Sequence, residues 1–514
     1  MLVSFSKASV ALFAVDSLFF TVVTAGKVQC DGLLLPEVAA AYREEVKGMF
    51  VKSYEAYKKH AWGHDDLALR SQGFVDSRNG WGASVIDGMS TMDYFLEAVN
   101  FTSNIDFSRS KTLDTVSVFE TTIRYLGGLL SAYELSGEKH HVLVTKAREV
   151  ADKLTHAWVE DNDIPYGYLD FSTDSPRRGT ANIAEAGTLL MEWGTLSKHT
   201  GDGKYWQLAE KSMRRIATNP SPLPGLAAQG IDPSSGSPVG GYVTSAYGNQ
   251  TYLADYDDSG RIVHLSSHLA CFHGGNWLLG GRMLNNQTII DVALQLVYFC
   301  WNTYASTATG IGPEVFAFTS EAGSHTGRAP PSKVDQEFYK LHGFYVEDGA
   351  YILRPEVLES NFYAWRTTGD PKYIERAASA LRSFQKYLPV QDAYAGIQDV
   401  NNPISSKFDH MESFWFAEVL KYLYLTFDDP ARYSLDEYVL NTEAQPLKAP
   451  PPKATYGSAT GLVLSPSPLP FIPVDAPTPT YSQGPMLESG ILSSVANVLQ
   501  MFLGPSLRFT GLYL

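Results

Sequence analysis

Glu120 and Arg124 stand one helical turn apart in VSVFETTIRYLGGLL (116–130), beside an apolar stripe of Phe119, Ile123, Leu126 and Leu130. On an exposed face such a pair would add a few tenths of a kcal/mol and need no further explanation. Other apolar segments carry acids in the same way. AEAGTLLMEW holds Glu185 and Glu192, GIGPEVFAF holds Glu314, LRPEVLESNFYAW holds Glu356 and Glu359, and MESFWFAEVLKYLYL holds Glu412 and Glu418. Taken singly, each reads as a capping or solvated acid. Five sets on helices this apolar are costly unless the acids share a polar cavity, because an unpaired buried carboxylate is expensive. A cavity lined by acids and by aromatics such as Phe414 and Trp415 suits sugars, with rings against sugar faces and carboxylates accepting hydroxyls. Two carboxylates can also cleave a glycosidic bond, one as acid and one as base. Oxygen ligands would suit a hard cation such as Ca²⁺, and no Cys or His spacing resembles a zinc site.

The elements that must position these acids are helices. YELSGEKHHVLVTKAREVADKL, LSKHTGDGKYWQLAEKSMRRIA and WRTTGDPKYIERAASALRSFQKY share one design: an apolar helix, a Gly-Asp or Gly-Glu turn, then an amphipathic helix. Repeated hairpins of this kind stack as solenoids or close into α/α barrels, so the expected fold class is all-α. The turns fall at Gly137, Gly201 and Gly369, spaced by 64 and then 168 residues. The longer interval has room for two more hairpins, yet only one is readable, at 268–304. Between Asn219 and Ile262 the chain is rich in Gly, Ser and Pro, and a structureless loop that long is uncommon in a compact domain. A closed array should not skip a unit. Short β pieces such as GYVTSAY are assigned to loops.

The net charge of −15 disfavours a nucleic-acid partner and offers no basic surface to an anionic membrane. Lys7 followed by ALFAVDSLFFTVVTA reads as a secretory signal over 1–25, with Asp16 as an interruption that leaves an uncleaved anchor as the alternative. Sequons at Asn100, Asn249 and Asn286 fit passage through the secretory pathway. Of three cysteines, two should pair in such a chain. Cys271 and Cys300 flank the turn LNNQT, which points to a clamp across a helix hairpin with Cys30 left over. The expected domain runs from 26 to 445, and the Pro-rich 446–514 is set outside the fold. No stretch makes a firm membrane span, and a monomer is expected.

VFETTIRYLGGLL, SRNGWGASVIDGMST, NIAEAGTLL, SSHLACF, LRPEVLES, MESFWFAEVLKYLYL and VLNTEA together closely resemble the class I α-1,2-mannosidases of N-glycan processing, most like the fungal secretory type. The resemblance runs in order from about Tyr54 to Pro446. It implies an (α/α)7 barrel and a Ca²⁺-dependent inverting hydrolase that trims α-1,2-linked mannose from high-mannose N-glycans in the secretory pathway. By motif, Glu120 corresponds to the general acid, with Arg124 on the substrate side, and Glu356 to the general base. Glu314 matches a further catalytic-site acid. Glu185, His268, Glu359, Phe414, Glu418 and Glu443 match substrate-contacting or water-holding positions. Thr442 matches the residue that binds Ca²⁺ through its hydroxyl and carbonyl, and Cys271 and Cys300 match the family disulfide.

The sequence departs from that pattern twice. After VGGYVT (239–244) the family continues into an Asp-Ser-Tyr motif opening another hairpin; here the chain runs into SAYGNQTYLADYDD, and that aspartate is absent. Gln445 stands where the family usually has His. The first departure coincides with the unit skipped in the turn spacing and predicts activity below that of an intact relative. The competing reading is a catalytically inactive, mannosidase-like glycan-binding protein, or the product of a defective gene.

Overall fold

The structure is a computed structural model that describes residues 27–91, 94–112, 115–219, 228–247, 251–257, 259, 261–320 and 322–450. The expected signal segment, the sequon at Asn249 and all but the first residues of the Pro-rich tail lie outside these residues.

The repeated Gly turns do what their sequence requires. Gly137, Gly201 and Gly369 adopt φ of 71°, 71° and 72°, a left-handed conformation that ends a helix cheaply only at glycine. Gly201 and Gly369 cap their helices directly, returning N–H groups to Ser197 and Trp365.

The helices are α1 Ala39–Ala61, α2 Ala83–Asp87, α3 Phe95–Ser103, α4 Gly127–Leu135, α5 His141–Leu154, α6 Ile183–Gly187, α7 Leu190–Thr200, α8 Lys204–Thr218, α9 Phe272–Met283, α10 Gln287–Ala305, α11 Lys333–His342, α12 Glu356–Thr368, α13 Lys372–Tyr387 and α14 Leu420–Phe427. They form six inner–outer pairs among the described residues: α2 with α3, α4 with α5, α6 and α7 with α8, α9 with α10, α12 with α13, and α14 with α1. The inner helices α4 and α12 are buried nearly all round. Gly127 to Glu134 of α4 are all buried, and in α12 only Glu359 and Thr368 are not. Outer helices bury a single stripe, as Leu143, Ala147, Val150, Ala151 and Leu154 do in α5.

The interval without a readable hairpin holds a sheet. Strands β1 Ala181–Asn182, β2 Ala228–Ile231, β3 Pro238–Tyr247, β4 Thr251–Tyr256 and β5 Ile262–Val263 pair antiparallel in the order β5-β4-β3-β2-β1. At one end Ile231 packs with Ile164, Ala181 and Ala186, with Ile216 of α8 beside them. At the other, buried Tyr252 lies 3.9 Å, centroid to centroid, from both Phe299 of α10 and Phe318, and the Thr251 hydroxyl donates to Gln295. The sheet thus spans from the third helix pair to the fourth. This corrects the loop assignment of GYVTSAY, which forms most of the ten-residue β3; its Gly pair and hydroxyls masked the strand signal.

A second hairpin, β6 Tyr438–Leu440 with β7 Pro446–Lys448, brings residues 441–445 into the barrel. Ser131 of α4 donates to the Pro446 carbonyl, and the Lys448 N–H donates to Glu134. The folded unit therefore extends through β7, beyond the expected boundary at 445. Proline is tolerated there because its missing N–H falls at the first residue of an edge strand.

Candidate active site

Two of the inner helices carry a π turn near their start, the first directly after the site acid Glu120 and the second around Glu418. Ser117 caps the first turn, Val118–Glu120, and the π turn Thr121–Leu126 follows. The second, Trp415–Val419, holds Glu418 directly before α14. A π turn rotates the side chains that follow it and loosens the backbone ladder, which is why such turns concentrate at functional sites.

Glu120 ion-pairs with Arg124, and Arg78 Nε lies 3.4 Å from the same carboxylate oxygen. Arg124 is buried, 3.4 Å from Glu443 and 3.8 Å from Asp87. Burial works against its cation, but Glu443, Glu120, Asp87 and Glu418 outweigh burial and hold the guanidinium charged. Arg78 rides on a loop organised by the buried carboxylate of Asp65, which accepts N–H groups from Arg78, Gly80, Gly82 and Ala83. The Tyr125 hydroxyl clasps the Arg78 carbonyl at 2.8 Å.

Glu356 opens α12 directly after Pro355, which stands at the N-cap. Its Oε2 lies 2.7 Å from His268 Nδ1, whose Nε2 is 2.8 Å from the Tyr304 hydroxyl. Arg354 lies 3.6 Å from the other oxygen and holds both oxygens of Glu314 at 2.6 and 2.8 Å. Burial pushes the Glu356 carboxyl up, yet His268 and Arg354 overcome it and hold the group below the usual range. One turn on, Glu359 is pushed well above that range by burial and by Glu356.

Glu418 and Glu443 are both buried, and burial raises both, helped by the charge of Glu443 at Glu418 and by those of Asp87 and Glu120 at Glu443. Asp87 accepts from Ser413 and from Gln445, and Lys421 donates to the Ala444 carbonyl. Burial lowers Lys421 to about 8 despite these acids. Thr442 is exposed at the tip of its turn, next to buried Glu443. Glu443 Oε1 has no hydrogen-bond partner although it is buried. Arg124 Nε ion-pairs with that oxygen at 3.4 Å without hydrogen-bonding it, and an all-oxygen set with a carboxylate oxygen left without a hydrogen bond fits a hard cation.

The predicted residues fall into distinct places. Glu120, Arg124, Glu443 and Glu418 form one linked charge group, and Glu314, Glu356 and His268 another through Arg354. Glu359 joins the two, raising and being raised by their acids. Phe414 is buried just before the second π turn. Glu185 closes a capping box with Asn182 at the start of α6 and feels the charge of Glu120. Cys271 and Cys300 form a disulfide between the start of α9 and α10, and Cys30 is free.

Sequence reasoning missed Asp87, Arg78, Arg354, Lys421 and Asn441 as partners of these acids. Arg354 stands two residues before Glu356, so its proximity was readable; the others arrive from distant segments. A third charged group, Asp66, His410 and Glu412, is the only set of three metal-capable side chains clustered among the described residues. Each His410 nitrogen faces a carboxylate, Nε2 to Asp66 and Nδ1 to Glu412, both at 3.2 Å. That bracket suits an imidazolium, whereas a metal ligand must be deprotonated at the binding nitrogen.

The sequence profile of glycosyl hydrolase family 47 matches residues 49–252 and 242–449. The two stretches meet around Thr244, where the resemblance predicted the skipped unit. The mannosyl-oligosaccharide alpha-1,2-mannosidase 1B of Aspergillus phoenicis is 35% identical over 478 residues, covering 79% of this chain and 91% of the relative. Since 79% of 514 residues is about 406, on the order of 70 aligned positions of that relative have no residue here. The mannosyl-oligosaccharide alpha-1,2-mannosidase of Coccidioides posadasii is 36% identical, covering 79% and 90%. Among solved structures, the alpha-1,2-mannosidase from Trichoderma reesei superposes with a TM-score of 0.75 at 33% identity, covering 80% of this chain and 99% of that one.

Proposed function

Since the chain belongs to glycosyl hydrolase family 47, we propose that it releases terminal α-1,2-linked mannose from high-mannose N-glycans, as a calcium-dependent inverting enzyme of the secretory lumen. It is a glycosidase with the all-α barrel of its relatives, and the comparisons favour that reading over an inactive glycan-binding protein. The observation that carries the mechanism is the contrast between two carboxylates on separate inner helices. Glu356 is held ionised by His268 and Arg354, as a general base must be to take a proton from water. Glu120 is the most open of the acids bound to Arg124, with its side chain 36% exposed, and stands where a leaving oxygen could receive its proton. Arg124 and Arg78 orient that carboxyl from behind. Glu314 and Arg354 steady the base side, and Glu185, Glu359 and Phe414 line the sugar's path.

Thr442, with Glu418 and Glu443 beneath it, would hold Ca²⁺, whose charge would offset the acid floor and order water and sugar hydroxyls above it. Among the described residues no helix is long and apolar enough to cross a membrane. The working form is a monomer.

The test is mannose release by the full chain from α-1,2-, α-1,3- and α-1,6-linked mannobiosides and from a high-mannose glycan, with calcium present. Release from the α-1,2 linkage alone supports the proposal. Equal release from all linkages, or none from any, overturns it.

A further inference from the structure

Asn441 opens the turn that carries Thr442, and its side chain is spent in two directions. Oδ1 accepts the backbone N–H groups of Glu443 at 2.9 Å and Gln445 at 2.8 Å, folding the turn on itself. Nδ2 donates away from the turn, to the Ile123 carbonyl at 3.0 Å and to Glu192 Oε1 at 2.6 Å. Ile123 lies inside the π turn that follows Glu120, and Glu192 lies on α7, the inner helix of the third pair. Asn441 and Glu192 are both fully enclosed, at 3% and 1% exposure.

A separate observation marks the same contact. A Cβ added at Gly127 would lie 2.6 Å from Asn441 Nδ2 and 3.2 Å from Gln445 Cγ. The amide occupies the space a side chain would take, so Gly127 keeps α4 open for this turn. Gly128 answers to a different neighbour, since its Cβ would meet the Ile86 carbonyl at 2.5 Å. The turn is also strained: Ala444 adopts φ of 52°, uncommon for a residue with a Cβ, and needs outside support to persist.

We propose that Asn441 is a positioning residue for the cation-holding turn. Its Nδ2 fixes Thr442 relative to the Glu120–Arg124 pair by tying the turn to the π turn and to α7. The inference rests on the reading of Thr442 as the calcium-holding residue. It assigns a role to Glu192, a buried carboxylate whose one partner in this contact is Asn441, and to the first glycine of LGGLL.

The experiment is calcium affinity, by calorimetry on the chelator-stripped full chain at alkaline pH, so that Glu192 meets residue 441 as an acceptor. Asn441→Asp keeps the two acceptor bonds within the turn and turns an oxygen toward Ile123 and Glu192 instead of a donor. Its calcium dissociation constant should rise about tenfold or more, the scale of losing a partner that orients a ligand. Glu192→Gln alone should leave the affinity unchanged, because its Oε1 still accepts. The double variant Asn441→Asp/Glu192→Gln should recover much of the loss, because the amide introduced at 192 can donate to the new carboxylate. Gly127→Ala should weaken binding as well, and it carries the test if Asn441→Asp does not fold. Normal affinity in Asn441→Asp and Gly127→Ala overturns the proposal, as does an equal loss in the single and double variants, which would mean general damage. Unchanged affinity in Thr442→Val overturns the calcium reading itself; loss there beside normal affinity in Asn441→Asp overturns this inference alone.

Discussion

Replacing Glu192 by glutamine should make the protein more stable at neutral and alkaline pH, and leave it nearly unchanged in mild acid. Burial raises this carboxyl from 4.5 to about 7, the Asn441 bond only partly offsetting it. Between those values the native chain binds a proton at Glu192 that the unfolded chain has released. Stability contributed by the group therefore falls as pH rises from 4.5 and is lost once pH passes 7. The span amounts to about 3 kcal/mol at 1.36 kcal/mol per unit. Unfolding entropy is about 2.1 cal/mol/K per residue, or roughly 0.9 kcal/mol/K for a fold of this size, so 3 kcal/mol is worth about 3–4 °C in Tm. The assay is the difference in Tm between Glu192→Gln and the parent chain, measured in chelator at about pH 4 and about pH 8, so that every other titrating group cancels. The difference should be near zero in acid and about 3–4 °C in favour of the variant in base. Parallel Tm–pH curves, or a variant less stable at both ends, would refute the reasoning.

The other expectations are as direct. Non-reducing peptide mapping should find Cys271 linked to Cys300 with Cys30 free, and breaking that 29-residue loop should cost about 3–4 kcal/mol by chain-entropy arithmetic; free alkylation of both thiols without reduction would remove the clamp. His268→Ala takes away the main partner that holds Glu356 low, so the acid limb of kcat/KM should move to higher pH by about one unit; an unmoved limb would separate Glu356 from the base role. Excess chelator should lower Tm, because a cation bound only by the folded chain stabilises it; an unchanged melt, with no calcium in the purified protein, would count against the cation site.

The helices were legible because their signals are local. The Gly turns at 137, 201 and 369, and the single buried stripe of α5, can be read from a few consecutive residues. The skipped unit was legible from spacing alone, and the described residues hold six helix pairs where the family's barrel has seven. What fills the interval was not legible: β3 is rich in glycine and hydroxyl residues, and its partners are set by a register that only the folded chain reveals. The acids of the site could be found because carboxylates on apolar helices are conspicuous. Their partners could not, since Asp87, Lys421 and Asn441 come from segments hundreds of residues away in some pairings, and nothing local distinguishes Asn441 from any other turn residue. The two π turns were likewise unreadable, since a one-residue insertion in a helix leaves the apolar pattern almost intact.

The most direct test of the account is the proton NMR time course of mannose released from a high-mannose glycan by the full chain in calcium. Glu120 protonating the leaving oxygen while Glu356 activates water on the opposite face of the ring predicts that β-mannose appears first and then equilibrates, and that Glu120→Gln and Glu356→Gln each abolish the signal. Because the family's Asp-Ser-Tyr aspartate is absent, the release should be slower than that of an intact relative. Early accumulation of α-mannose, release that survives both substitutions, or no release at all would contradict the account.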